Sequence, residues 1–447
     1  MNKLSTRAKL LFSTGDLSTS IPLAILMFYQ LYFMTDIAGL RPDLAGWAVG
    51  LGKLWDAVND PLIGLISDRI RTRWGRRRGL LLFFAVPLGL SFMLMWFVPP
   101  LDALGLTIYY TLTFILFDTI FTIIHVSFNA LTPEMTDDYD ERSTLNGYRS
   151  AFGIGGTIGT IILATVLGWY VEDKRLLFIV LGVGMGLVCI VPPLIVFKVT
   201  RGKDPVEQPE PMSMWKALKT TLSNKPFWSI MGLYLLSWGT ASILSAVLIY
   251  YANYYLKVPE QANYFILGAE GAAILFIPLV VWLCRKLDKR RAFILGSLSW
   301  AVVLFGLAIL PANQIVLAYI LAILSGFGIA TAYIVPWAMV PDIIEFDQAE
   351  TGERREGSYY AFFSFFQKAA TGIAIWSMGQ ALAITGYTNP VQGEALPVQP
   401  EAALNAIRVF MGPIPAVMLV LAIVFAWRLK ITRQSHHEMV EKLKNRE

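Results

Sequence analysis

Charge is scarce in this sequence: 15% of its 447 residues are Asp, Glu, Lys or Arg, against 55% hydrophobic, and the mean hydropathy is +0.56. That balance lies outside the range of water-soluble globular domains. The net charge of +5 is accordingly no nucleic-acid signal, and no nucleic-acid partner is expected. Cysteine is nearly absent. Cys189 and Cys284 lie far apart within or at the end of apolar runs, which argues against a disulfide framework and for two inert buried thiols. Of three histidines, His436 and His437 sit side by side near the C-terminus. No His-Glu-x-x-His, Gly-x-Ser-x-Gly or phosphate-loop pattern occurs, so a membrane-embedded enzyme is a distant alternative and no cofactor is expected. Met1–Lys9 is polar and basic, with no small-residue cleavage site following it, so no removable signal peptide is expected.

What the sequence does have is apolar length. Twelve runs recur from end to end, many exceeding the roughly 20 residues a helix needs to cross the hydrocarbon core. The 35 Gly and 23 Pro are spread through these runs, as membrane helices tolerate. The reading is an all-α membrane protein with twelve transmembrane helices, embedded in the lipid bilayer. Basic residues cluster after spans 2, 6 and 8 and at both ends, the first cluster being six arginines between Ser67 and Gly79. By the positive-inside rule, both termini face the cytoplasm. The basic loop 285–291 stands in the second half where the arginine loop stands in the first, and Asp342 to Arg355 echoes Glu134 to Arg142. The chain therefore reads as two pseudo-symmetric six-helix bundles, 1–198 and 226–430. A polar linker, 199–225, joins them, its piece 212–222 suited to lying on the membrane surface, and a tail, 431–447, follows. Parallel repeats of this kind rock about a site near the midplane.

The chemistry concentrates in span 2, Lys53-Leu-Trp-Asp-Ala-Val-Asn-Asp60 followed by Pro61. Asp56 and Asp60, at i and i+4, project from one face of a helix one turn apart, with Asn59 beside them. Charges at bilayer depth cost roughly 2.5–3.5 kcal/mol each and mark ion paths. Hard oxygen ligands suit a small hard cation or a proton. The rival reading is a buried network in which these acids only neutralise Lys53, Arg149 or Lys368. Arg149 and Lys368 lie deep in spans 5 and 11, where they either counter membrane carboxylates or clamp an anionic or zwitterionic substrate group. Trp337, Tyr333 and the aromatic run 359–366 offer stacking surfaces, or simply pack the spans. Asp68, Arg69 and Arg142, with Asp342, Arg354 and Arg355 in the second half, are expected to form cytoplasmic gating pairs, solvated surface charge being the alternative.

The loop Gly64-Leu-Ile-Ser-Asp68-Arg69 through Gly75-Arg76-Arg77-Arg78 resembles the signature between helices 2 and 3 of the major facilitator superfamily. Leu54-Trp-Asp-Ala-Val-Asn-Asp-Pro61 is similar to the helix-2 motif of its glycoside–pentoside–hexuronide:cation symporters, the melibiose-permease type. The resemblance implies a cation site at Asp56, Asn59, Asp60 and Thr122. It implies a substrate site reached by Arg149 and Lys368, in which the family's two sugar-holding aspartates are Ser20 and His125 and its two site tryptophans are Asn129 and Tyr333. Local similarity around His125–Thr132 and Val335–Asp342 extends to the sodium-dependent lysophosphatidylcholine symporters. The resulting expectation is a monomeric Na⁺-coupled symporter in the cytoplasmic membrane of a bacterium. Its substrate would be a glycoside or hexuronide-type sugar, with an anionic group favoured over a plain galactoside. Protons in place of Na⁺, and a lysophospholipid in place of the sugar, stand as alternatives.

Overall fold

A computed structural model describes residues 4–69, 72–75, 77–136, 138–201, 225–351 and 356–429. Among these residues twelve long helices follow one another: α1 (Thr6–Ile37), α2 (Pro42–Arg69), α3 (Arg78–Leu94), α4 (Ala103–Met135), α5 (Tyr139–Tyr170) and α6 (Lys174–Val199), then α7 (Pro226–Tyr255), α8 (Ala262–Leu287), α9 (Lys289–Ile309), α10 (Ile315–Thr351), α11 (Glu356–Ile384) and α12 (Glu401–Arg428). Nine of them are long and apolar enough on their own to cross a membrane. The other three are α2, interrupted by Lys53, Asp56 and Asp60; α3, which has 17 residues; and α11, diluted by Gln367, Lys368 and Gln380. Helix starts are capped where the chain turns. Asp102 accepts from the Gly105 amide, and Asp173 from that of Arg175. Asp288, at φ 91°, turns α8 into α9 and accepts from the Lys289 amide.

The chain divides into two compact units, Met1–Pro209 with Thr388–Pro397, and Glu210–Tyr387 with Val398–Glu447. Within the first, α1 packs on α5 and α6, α2 on α4, and α3 on α4 and α6. Within the second, α7 packs on α11 and α12, α8 on α10, and α9 on α10 and α12. The two packing plans are the same with each number raised by six, so the internal repeat read from the charged loops extends to the cores. The C-terminal ends of the first helices match as well: α1 and α7 each finish in a π-helical turn, Phe33–Ile37 and Tyr251–Tyr255. Close packing relies on small residues. A Cβ on Gly89 of α3 would strike the Gly186 carbonyl of α6, and one on Gly326 of α10 would strike the Ala272–Ala273 backbone of α8. The segment 388–397, counted by sequence within the second bundle, belongs with the first unit. There Asn389 donates to the carbonyls of Thr35 at 3.0 Å and Leu40 at 2.8 Å.

Candidate functional site

The seam between α2 and α4 carries a run of polar contacts. Trp55 donates its indole N–H to Thr119 Oγ1 at 3.0 Å. Asn59 Nδ2 donates to Asp118 Oδ2 at 3.3 Å and to the Asp118 carbonyl at 3.4 Å. Thr122 Oγ1 donates to Asp60 Oδ1 at 3.2 Å. Asp56 is paired one turn back with Lys53, Nζ to Oδ2 3.0 Å, and Lys53 in turn lies over the Phe114 ring of α4. Asp56, Asn59, Asp118 and Thr122 are all buried. The facing helix α4 thus supplies a hydroxyl to Asp60 and a third carboxylate to Asn59, while Asp56, one turn before Asp60, pairs within its own helix. Of the four residues expected to hold the cation, Asn59, Asp60 and Thr122 make contacts across this seam, and Asp56 is buried one turn before Asp60, paired with Lys53. Asp118, which was not singled out, lies there too, one turn before Thr122. Because Asn59 turns its NH₂ toward Asp118, its carbonyl oxygen points away from that acid and is free to act as a ligand. The seam offers carboxylate, amide and hydroxyl oxygens, a donor set suited to a hard monovalent ion.

A second polar cluster lies in the same unit. Arg149 of α5 grips Asp16 of α1 in a two-pronged pair, 2.9 and 3.0 Å. It also donates to Thr132 Oγ1 at 2.7 Å and Asn129 Oδ1 at 2.6 Å, and stacks over the Phe128 ring. Asn129 Nδ2 lies 2.9 Å from His125 Nε2, and the His125 ring stacks on Phe121. Since Arg149 can only donate, Asn129 must present its oxygen to it and its nitrogen to His125. In this arrangement His125 Nε2 accepts from the Asn129 amide. The structure thus brings Arg149, Asn129 and His125 into one hydrogen-bonded row. Ser20 lies against Gly156 of α5 and makes no hydrogen bond among the described residues. The acid the family pattern puts at position 20 is found one turn earlier, at Asp16. An anionic group approaching Arg149 would have to displace a carboxylate, which weakens the expected anion clamp.

In the second unit, Tyr333 and Trp337 of α10 join Tyr234 and Trp238 of α7 in one aromatic cluster. Ring centroids are 5.3 Å apart for Trp238–Tyr333 and 5.8 Å for Tyr234–Trp337. Lys368 lies half-buried in the middle of α11.

The gating residues divide. Arg354 and Arg355 lie outside the described residues, as do the side chains of Asp68 and Arg69. Arg142 donates to the Thr136 carbonyl at 3.1 Å, closing the turn between α4 and α5. Asp342 pairs with Lys289 at 2.7 Å, and Lys289 also reaches the Ala338 carbonyl at 2.8 Å. Arg77 makes the equivalent pair of contacts in the first unit, to Glu134 and to the Ala130 carbonyl, each at 2.9 Å. Each of these staples ties a helix start to the following helix within its own unit.

The profile of the MFS/sugar transport protein family matches residues 11–433. The uncharacterised symporter sll1374 of Synechocystis sp. (strain PCC 6803) is 32% identical, over 100% of this chain and 98% of its own. The sodium-dependent lysophosphatidylcholine symporter 1 of Xenopus tropicalis is 26% identical over 94% of this chain and 86% of its own. The glycoside/cation symporter YagG of Escherichia coli (strain K12) is 26% identical over 94% and 90%. Among solved structures, a bacterial homologue of the human lysosomal transporter Spinster superposes with a TM-score of 0.70 at 13% identity, covering 98% of each chain. That likeness speaks for the fold.

Proposed function

The chain belongs to the MFS/sugar transport protein family, and from that premise we propose that it is a Na⁺-coupled symporter of a glycoside or hexuronide-type sugar. The observation that supports this reading is the polar α2–α4 seam, where Asn59 meets Asp118 and Thr122 meets Asp60, with Asp56 buried one turn before Asp60. The ion would be held by the carboxylates of Asp56 and Asp60, the amide oxygen of Asn59 and the hydroxyl of Thr122. Its charge would replace that of Lys53 beside Asp56 and offset the repulsion between two neighbouring acids. Neutralising the seam in this way would let a site near the midplane present itself to alternate sides. Protons acting on the same acids are the alternative coupling ion. With Asp16 across Arg149, a neutral glycoside fits the first unit better than the anionic sugar expected from sequence. The protein would work as a monomer in the cytoplasmic membrane, with both termini cytoplasmic and no cofactor beyond the coupling ion.

A lysophospholipid substrate is the second reading, favoured by a relative of that name as similar to this chain as YagG is. Thermal unfolding of the purified protein separates the two. Methyl glycosides, sugar acids and lysophosphatidylcholine are each added with and without Na⁺. The expected outcome is stabilisation by a glycoside that grows with Na⁺ and disappears in Asp56→Asn. Stabilisation by the lysolipid alone would replace the sugar reading, and a Na⁺ effect that survives in Asp56→Asn would remove the ion from this seam.

A further inference from the structure

One intramembrane carboxylate is used by neither cluster. Glu270 is the ninth residue of α8, roughly 12 Å along the helix from its outer start at 1.5 Å per residue. The outward face of α8 is marked by Leu275, 81% exposed, with Leu279 and Trp282. Glu270 lies about 140° round the helix from Leu275 at 100° per residue, so it is turned away from lipid. Its one hydrogen-bond partner among the described residues is Tyr333, whose O–H donates to Oε1 at 3.5 Å, the limit of such a bond. The other oxygen is engaged by none of them, and the residue is only half-buried. A carboxylate held at this depth with so little support is the usual mark of a ligand site.

The neighbours specify what it would bind. Tyr333 packs on Trp238 at 5.3 Å between centroids and an interplanar angle of 40°. The Trp238 indole N–H is fixed by Thr371 Oγ1 at 3.0 Å, and Ser242 lies 3.1 Å from the same hydroxyl, so the ring is locked from α11 and from its own helix. A cage for an organic cation needs aromatic faces spread around a common centre. Tyr333, the ring beside Glu270, packs against Trp238, and Trp238 and Trp337 against Tyr234, so the rings lie on one another rather than around the carboxylate. A half-buried ring edge and face beside a carboxylate oxygen instead match a pyranose, whose C–H face stacks on an aromatic ring while adjacent hydroxyls donate to the acid.

We propose that Glu270, with the Trp238–Tyr333 ring pair, forms a hydroxyl-reading sugar subsite in the second unit. This rests on the sugar reading above and deepens it, since it gives the substrate a specificity-determining acid outside the first unit. The test is binding of a panel of methyl glycosides, followed by intrinsic tryptophan fluorescence in saturating Na⁺. Wild-type protein is compared with Glu270→Gln and Glu270→Asp. Losing a hydrogen-bonded charge should weaken glycoside binding about tenfold or more in Glu270→Gln, while stabilisation by Na⁺ alone stays at the wild-type value. Glu270→Asp keeps the charge and withdraws it by one methylene, so it covers the case in which Gln does not fold. It should weaken binding at least about threefold. Glycoside binding to wild type that is unchanged in these variants overturns the subsite and leaves the sugar reading standing. A wild-type protein that binds no glycoside in the panel overturns both.

Discussion

Arg149 makes four hydrogen bonds to three side chains, two of them to Asp16, 133 residues away in sequence. Both partners of this pair are largely buried, at 15% and 16% side-chain exposure, and an ion pair in that setting is expensive to break by removing one charge. Asp16→Asn should therefore lower stability by about 3 kcal/mol, because a guanidinium is left beside neutral oxygens. Asp16→Asn combined with Arg149→Gln should recover most of that loss, since neither charge remains. Denaturant unfolding of the four proteins in detergent measures the coupling, and an Asp16→Asn variant as stable as wild type would mean that the pair is worth no more than a solvated one. Arg149 as a deep cation could be read from sequence. Its partner could not, because an acid one turn away from the family's position carries no local pattern. The same holds for Asp118 and Glu270. Asp56 and Asp60 announce themselves by their own i, i+4 spacing, whereas Asp118 and Glu270 are single acids in apolar runs. Their meaning comes from Asn59, 59 residues away, and Tyr333, 63 residues away.

Helices were the most legible level, because an apolar run of sufficient length in a bilayer has no other way to satisfy its backbone. The pairing of helices was legible only through the repeat. Matching charged loops implied matching bundles, and α2–α4 against α8–α10, or α3–α4 against α9–α10, carry that match into the packing. The repeat also makes a substitution predictable. Arg77 joins the start of α3 to Glu134 and the Ala130 carbonyl, and Lys289 does the same work between α9, Asp342 and the Ala338 carbonyl. A lysine is thus sufficient for this geometry. Arg77→Lys should change stability by less than about 1 kcal/mol, whereas Arg77→Ala removes this buried pair and should cost about 3 kcal/mol. Melting temperatures of the two variants test this, and equal losses in both would mean that the planar fork of arginine matters in the first unit and not in the second.

At the scale of the molecule, ion and sugar would be read by different groups of residues. The residues proposed to hold the ion, Asp56, Asn59, Asp60 and Thr122, all belong to the first unit, and Glu270 with its ring pair belongs to the second. Symport requires that these sites be linked, since a carrier that changed sides with either ligand alone would dissipate the ion gradient. Linkage is reciprocal: if Na⁺ tightens glycoside binding by some factor, the glycoside must tighten Na⁺ binding by the same factor. Coupling energies between sites typically amount to about 1–3 kcal/mol, so that factor should lie between about 5 and 150. Two titrations measure it, glycoside at zero and saturating Na⁺, and Na⁺ at zero and saturating glycoside. Asp60→Asn should reduce both factors toward one while leaving the Na⁺-free glycoside affinity near its wild-type value. Glu270→Gln should weaken the glycoside and leave Na⁺ affinity in its absence untouched. If the wild-type factors are both one, the α2–α4 seam holds a structural charge cluster rather than a coupling ion, because a ligand that binds two states equally shifts neither.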